Sequence, residues 1–251
     1  MCDKFPRQFK SMATIGDNLQ AVRKRIAEAA HAAGRDPAAI TLLAVSKTHP
    51  PERVVEACEA GQRAFGENYV QEAVQKMDAV AQALGSARTH GLEWHMIGPL
   101  QSNKSRAVAE RFDWVQSVDR EKIAQRLSAQ RPDSQAPLNV LVQVNVSGEA
   151  SKSGIEPRAV VALAQAVARM PRLRLRGLMA IPEPTADAAV QRARFRMLRE
   201  LLEAVRAHGL ALDTLSMGMS DDMEAAIAEG ATMVRIGTAI FGAREGAGRA
   251  A

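Results

Sequence analysis

Apolar and polar positions along this chain switch repeatedly between a helical and an extended period, and that switching predicts its architecture. Over 14–33, Ile15, Leu19, Val22 and Ile26 fall on one helical stripe, with Thr14 and Asp17 as a capping pair and Gly34 as the stop. The apolar run 40–46 predicts a buried strand. Pro51 then opens a helix with Val54, Val55 and Cys58 facing inward and Gly61 at its end. The unit recurs as strand 63–65 with helix 70–84, strand 93–97 with helix 102–111, and strand 114–118 with a helix capped by Asp119 that runs to Gln130. It continues as strand 138–146 with a helix from Pro157 to Met170, strand 175–181 with helix 188–208, and strand 214–217 with a helix capped by Ser220 that reaches Glu229. Strand 233–236 closes the series.

Eight strands alternating with eight helices, the first helix ahead of the first strand, argue for parallel strands joined by right-handed crossovers. The count predicts a single (β/α)8 barrel of the TIM type with an extra N-terminal helix. An open doubly wound sheet is the structural alternative, but no G-x-G-x-x-G follows the first strand. Residues 1–13 lack periodicity and read as a loose polar tail, in which Met12 is an alternative start to Met1; 14–251 read as the barrel domain.

Composition removes several classes of function. No apolar run approaches the roughly 20 residues that cross a bilayer, and no charged segment followed by an apolar stretch opens the chain, so neither a membrane span nor a secretory signal is expected. Cys2 and Cys58 have no disulfide or metal spacing, which predicts a cytoplasmic protein without a metal site. The net charge of +5 is spread along helical segments and interleaved with Asp and Glu, and aromatic residues are only 4% of the chain. A nucleic-acid partner is therefore not expected, whereas a phosphorylated small molecule suits the charge. Without a long exposed apolar segment the chain is expected to be a monomer.

In a barrel of this kind chemistry gathers at the carboxyl ends of the strands. Lys47 ends the first strand, where burial would lower its pKa and make the amine nucleophilic toward aldehydes; taken alone, it reads rather as a lysine reaching solvent or a carboxylate, and the residues around it shift the reading. Ser216, Gly218, Met219, Ser220, Gly237 and Thr238 follow the last two strands, the usual phosphate position of the fold. Ser220 also reads as a helix cap, and Asp221 and Asp222 behind it would repel an anion. Arg235 in the last strand needs a partner, either a structural carboxylate or a ligand heteroatom. His95 reads as a core histidine or a site residue, Asn68 and Asn145 as backbone-bonding or ligand-bonding amides, and Met179 as core filling or a ligand contact.

Seven segments now align in order with one family: 42–49 (LLAVSKTH), 65–72 (FGENYVQE), 94–104 (WHMIGPLQSNK), 138–154 (LNVLVQVNVSGEASKSG), 177–181 (GLMAI), 215–222 (LSMGMSDD) and 234–242 (VRIGTAIFG). They make the chain, from about Leu19 to Gly242, resemble the pyridoxal-phosphate homeostasis protein family. The resemblance implies a barrel similar to the N-terminal domain of bacterial alanine racemase, with pyridoxal 5′-phosphate (PLP) as an aldimine on Lys47. It implies Arg235 as donor to the pyridine nitrogen and Ser216, Gly218, Met219, Ser220, Gly237 and Thr238 around the phosphate. Asn68, His95, Asn145 and Met179 would line the cofactor, and no residue is assigned a catalytic role.

A carrier or regulator of the PLP pool is what this resemblance implies, with apo PLP-dependent enzymes as possible recipients. An always-charged arginine leaves the ring nitrogen unprotonated and the ring a weaker electron sink, and no aspartate stands in its place. The alternatives are an amino-acid racemase, which needs an acid/base on each face of its substrate, and a Schiff-base aldolase on a phosphorylated sugar, for which only His49 or Glu67 offers a proton shuttle. Lys152, just past the fifth strand, reads as a solvated loop lysine or a transient second attachment point.

Overall fold

The computed structural model describes residues 13–148 and 153–243; the expectations for residues 1–12, including Cys2 and the choice of start, and for Lys152 lie outside the described residues. Helix α1 (Ile15–Ala32) precedes β1 (Thr41–Val45), α2 (Pro51–Glu59), β2 (Ala64–Glu67), α3 (Val70–Leu84), the single turn α4 (Ser86–Thr89) and β3 (Glu93–Met96). Then come α5 (Ser105–Arg111), β4 (Trp114–Val118), α6 (Glu121–Gln130), β5 (Leu138–Gln143), α7 (Val160–Ala168) and β6 (Leu173–Met179). The chain continues through α8 (Ala188–Ala207), β7 (Thr214–Ser216), α9 (Met223–Ala228), β8 (Met233–Ile236) and the short α10 (Thr238–Phe241). All eight strands are parallel and close into a (β/α)8 barrel, with β8 returning to β1 in the register Leu43↔Arg235.

The strand alternation decides what faces where. On β1, Leu42 and Ala44 pack outward against the helices, while Leu43 and Val45 meet Ala64, Ile97 and Met233 in the barrel interior. The predicted stripe of α1 is buried, and Thr14 with Asp17 forms the expected capping box. Helix α1 packs against α2, α9 and α10. Because α10 is one turn long, α1 takes the place in the outer ring that a full helix after β8 would fill. No helix among the described residues is long and apolar enough to cross a membrane.

The deviations from expectation are local and have visible causes. Strand β5 stops at Gln143, not 146, because the Asn145 carboxamide turns back to accept from the N–H groups of Ser147 and Gly148, both at 3.2 Å. Strand β6 starts two residues earlier than expected, at Leu173. Asp119 does not cap α6; the residue at that position is Arg120, with no side-chain cap. Ser220 does not cap α9 either: residues 220–222 form a turn and the helix begins at Met223 behind Asp222.

Candidate functional site

The first strand delivers its lysine on a constrained turn. After Val45, Ser46 donates its N–H to the Gly66 carbonyl at 3.0 Å, and Thr48 adopts φ +65°, a left-handed conformation that is costly for a β-branched residue. The turn is held from behind by Lys76, whose Nζ donates to the Ser46 carbonyl at 2.7 Å, Glu67 Oε1 at 2.7 Å and Glu72 Oε1 at 2.9 Å. Ser46 Oγ also donates to Glu67 Oε1 at 2.7 Å, and the Thr48 N–H donates to Glu72 Oε1 at 2.6 Å. Lys76 and Glu67 are buried. Burial pushes the Glu67 carboxyl above its ordinary range, against the pull of Lys76. Lys47 is thus presented by a backbone pinned on both sides.

A cavity of about 610 Å³ opens at the carboxyl ends of the strands. Of the expected site residues, Lys47, Asn68, Met219, Ser220, Arg235, Gly237 and Thr238 line it. Arg235 is buried. Its Nη1 donates to Ser216 Oγ at 2.7 Å and its Nη2 to the Ala180 carbonyl at 2.8 Å, so two of its five N–H donors are engaged by neutral acceptors. Burial lowers its pKa to about 10, partly opposed by Asp222, and it remains a cation at neutral pH. Asp222 in turn accepts from the Met219 N–H at 2.6 Å, shaping the loop ahead of α9.

The chain turns into α10 at Thr238, where the Ile240 and Phe241 N–H groups both donate to the Gly237 carbonyl, at 2.9 and 3.0 Å. Gly237 carries no side chain there, and a Cβ would lie 3.2 Å from the Val45 carbonyl. The cavity wall therefore combines an amine, a buried guanidinium and the loop residues Met219, Ser220, Gly237 and Thr238. Such a set can hold an aldehyde that also bears a hydrogen-bond acceptor and an anion. No group of three or more His, Cys, Asp or Glu side chains able to hold a metal occurs among the described residues.

Five expected site residues lie elsewhere. Ser216 sits behind Arg235, buried in the barrel. Gly218 supports the loop from the far side: its φ is +93°, its carbonyl accepts from the Arg235 N–H at 3.0 Å, and a Cβ would come within 2.5 Å of Ala226 Cβ. Met179 is buried against Trp114 and Leu141. His95 is buried in the interior, stacked on Trp114 with ring centroids 5.1 Å apart. Asn145 is engaged in its own turn beyond β5.

The structure also adds Arg25, which the sequence reading passed over, and gives His49, named there only as a possible proton shuttle, a place at the cavity. Arg25, on α1, lines the cavity and fixes the Ser220 carbonyl at 3.1 Å while pairing with Glu224. His49 lines the cavity and stacks on Phe241. Lys76 did carry a sequence signal, since it falls between Ala73 and Val80 on the buried stripe of α3.

Comparison with known proteins places this geometry. The family described as alanine racemase, N-terminal domain, matches residues 18–245. The pyridoxal phosphate homeostasis protein of Pseudomonas aeruginosa is 63% identical over 234 residues, covering 93% of this chain and 97% of that protein. The chain belongs to this family. The protein of the same name from Escherichia coli K12 is 57% identical, with 93% and 98% of the two chains covered. Among solved structures, that of PipY from Synechococcus elongatus PCC7942 with PLP bound superimposes with a TM-score of 0.78 at 36% identity, covering 91% of this chain and all of that one.

Proposed function

We propose that the chain binds PLP in the cavity at the carboxyl end of the barrel, as a Schiff base with Lys47, and serves in intracellular homeostasis of that cofactor without a catalytic reaction of its own. The observation that carries this reading is the meeting of Lys47, from the end of β1, and buried Arg235, from β8, on one cavity wall. The PLP-bound relative and the homeostasis proteins support the choice of ligand.

The residues divide the task by chemistry. Lys47 would supply the amine; Arg235 would donate to the ring nitrogen and, staying protonated, would leave that nitrogen without a proton of its own. Met219, Ser220, Gly237 and Thr238 would hold the phosphate from the cavity wall, with Arg25, itself paired with Glu224, bracing Ser220. Ser216 and Gly218 act one layer back, through Arg235. Bound PLP supplies an aldehyde that exchanges between amines, which suits release to an apo-enzyme.

Racemisation would require a second acid/base facing the substrate. The chain's single tyrosine, Tyr69, is 57% exposed, and His95 lies in the barrel interior away from the cavity wall. Both observations favour the carrier reading. The deciding experiment is the visible spectrum of wild type beside Lys47→Ala after addition of PLP, followed by transfer to an apo-enzyme. A yellow band present in wild type and missing in the variant, with transfer faster than spontaneous release, is expected. A wild type that stays colourless with PLP overturns the binding reading; amino-acid racemisation that vanishes with Lys47→Ala overturns the non-catalytic one.

A further inference from the structure

One line of polar side chains crosses the apolar barrel interior from the cofactor cavity to the opposite mouth. Arg235 Nη1 reaches Ser216 Oγ at 2.7 Å, Ser216 Oγ reaches Gln116 Oε1 at 2.6 Å, and Gln116 Nε2 reaches His95 Nδ1 at 2.9 Å. His95 Nε2 then faces Glu93 Oε2 at 3.6 Å, an electrostatic contact longer than a hydrogen bond. Arg235, Ser216, Gln116 and His95 are all buried, whereas Glu93 is exposed and borders a second cavity at the amino ends of the strands.

Donor chemistry gives this line a direction. Arginine only donates, so the Ser216 oxygen accepts and sends its single proton to the Gln116 carbonyl. The Gln116 NH2 group then faces His95, which makes Nδ1 an acceptor and leaves the ring proton on Nε2, toward Glu93. Every donor points from the buried cation to the carboxylate. The acceptors touching Arg235 are neutral, and a buried guanidinium requires compensation. Hydrogen bonds polarise one another along such a chain in a low dielectric. The other charges bearing on the line are Asp222 near Arg235, Asp113 near His95, and Arg176 near Glu93.

We propose that Gln116, His95 and Glu93 are positioning residues for Arg235: the directed chain fixes the orientation of the guanidinium and transmits the polarisation of the Glu93 carboxylate to the N–H groups facing the cavity. The part that concerns the cofactor ring rests on the PLP reading above; the part that concerns the chain does not.

Two measurements separate the parts. In unloaded protein, nitrogen NMR of His95, assigned by its loss in His95→Gln, is expected to show a protonated Nε2 and a bare Nδ1 at neutral pH. Gln116→Leu is expected to speed exchange of the Arg235 Nε–H. The opposite tautomer, or unchanged Arg235 exchange, overturns the chain whether or not PLP binds.

In protein loaded with PLP, Gln116→Leu is expected to weaken retention about fivefold, the effect of losing one ordinary hydrogen bond. Glu93→Gln, at an exposed position that leaves the fold intact, is expected to move the pH midpoint of the visible band by about half a unit. Wild-type retention in Gln116→Leu and an unmoved midpoint in Glu93→Gln overturn the link to the cofactor. A wild type that takes up no PLP overturns that link together with the site reading, and leaves the chain to be judged by the NMR outcomes.

Discussion

Lys76 Nζ lies 2.7 Å from Glu67 Oε1, both side chains buried behind the turn that carries Lys47. The three N–H bonds of the ammonium have three acceptors, Glu67, Glu72 and the Ser46 carbonyl, so the amine is fully satisfied. Glu67 Oε2, by contrast, finds no hydrogen-bond partner among the described residues. Lys76→Met therefore strands a buried carboxylate and is expected to cost about 3–5 kcal/mol. Urea unfolding checks this through a lowered midpoint at unchanged slope. Adding Glu67→Gln to Lys76→Met should restore part of the loss. A single-variant cost below about 1 kcal/mol, the value of an exposed pair, is the outcome that contradicts a buried clamp.

Thr48 tests the same turn from the front. Its φ of +65° costs a β-branched residue about 1–2 kcal/mol relative to a right-handed conformation. Thr48→Gly relieves that strain but adds freedom to the unfolded chain, worth about 0.4–1 kcal/mol in the other direction. The expected net result is a melting temperature unchanged or slightly raised, with weaker PLP retention because the backbone presenting Lys47 is looser. A clear loss of stability would mean that the threonine side chain, not the backbone shape, matters here.

The barrel was legible because its signals are local: each strand is a short apolar run and each helix a stripe with punctuation at its ends. The end of β5 was not, because valines continue past Gln143 while Asn145 redirects the backbone. Lys47 and Arg235 stood out as charges in apolar strands. The positions of His95 and Ser216 in relation to the cavity were hidden for a different reason. Their partners are far away in sequence, as with Ser216 and Gln116, 100 residues apart, and strand alternation alone does not say which interior layer a side chain occupies. Gln116 itself reads as an ordinary polar residue until Ser216 and His95 are seen on either side of it.

Gly177 marks where two strands meet too closely for any side chain. A Cβ there would lie 1.8 Å from the Thr214 carbonyl oxygen, which is backbone and cannot rotate away. Since β6 and β7 pair at these two residues, Gly177→Ala must push the strands apart. The expected cost is about 3 kcal/mol or more, at the upper end of overpacking effects, read as a lowered unfolding midpoint. Gly34→Ala serves as a contrast: nothing lies within 4 Å of that site, and only its φ of +66° opposes the change. Equal costs at the two sites would contradict the close approach of β6 and β7.

His95 provides a test with a sign. Burial holds its pKa below the ordinary histidine value, with Glu93 opposing. In the unfolded chain the ring returns to about 6.5. As pH falls through that value the unfolded state takes up a proton that the native state refuses, so stability declines with falling pH until the lowered native pKa is reached. His95→Gln removes this titration. The stability advantage of wild type over the variant is therefore expected to be largest above about pH 6.5 and to shrink below it. Urea titrations of both proteins across that range measure the difference directly, and the remaining histidines cancel between them. A wild-type advantage that grows on acidification would mean that His95 is protonated in the fold. Gln116 could then no longer donate to Nδ1, and its amide would have to flip so that the carbonyl accepts from Nδ1–H.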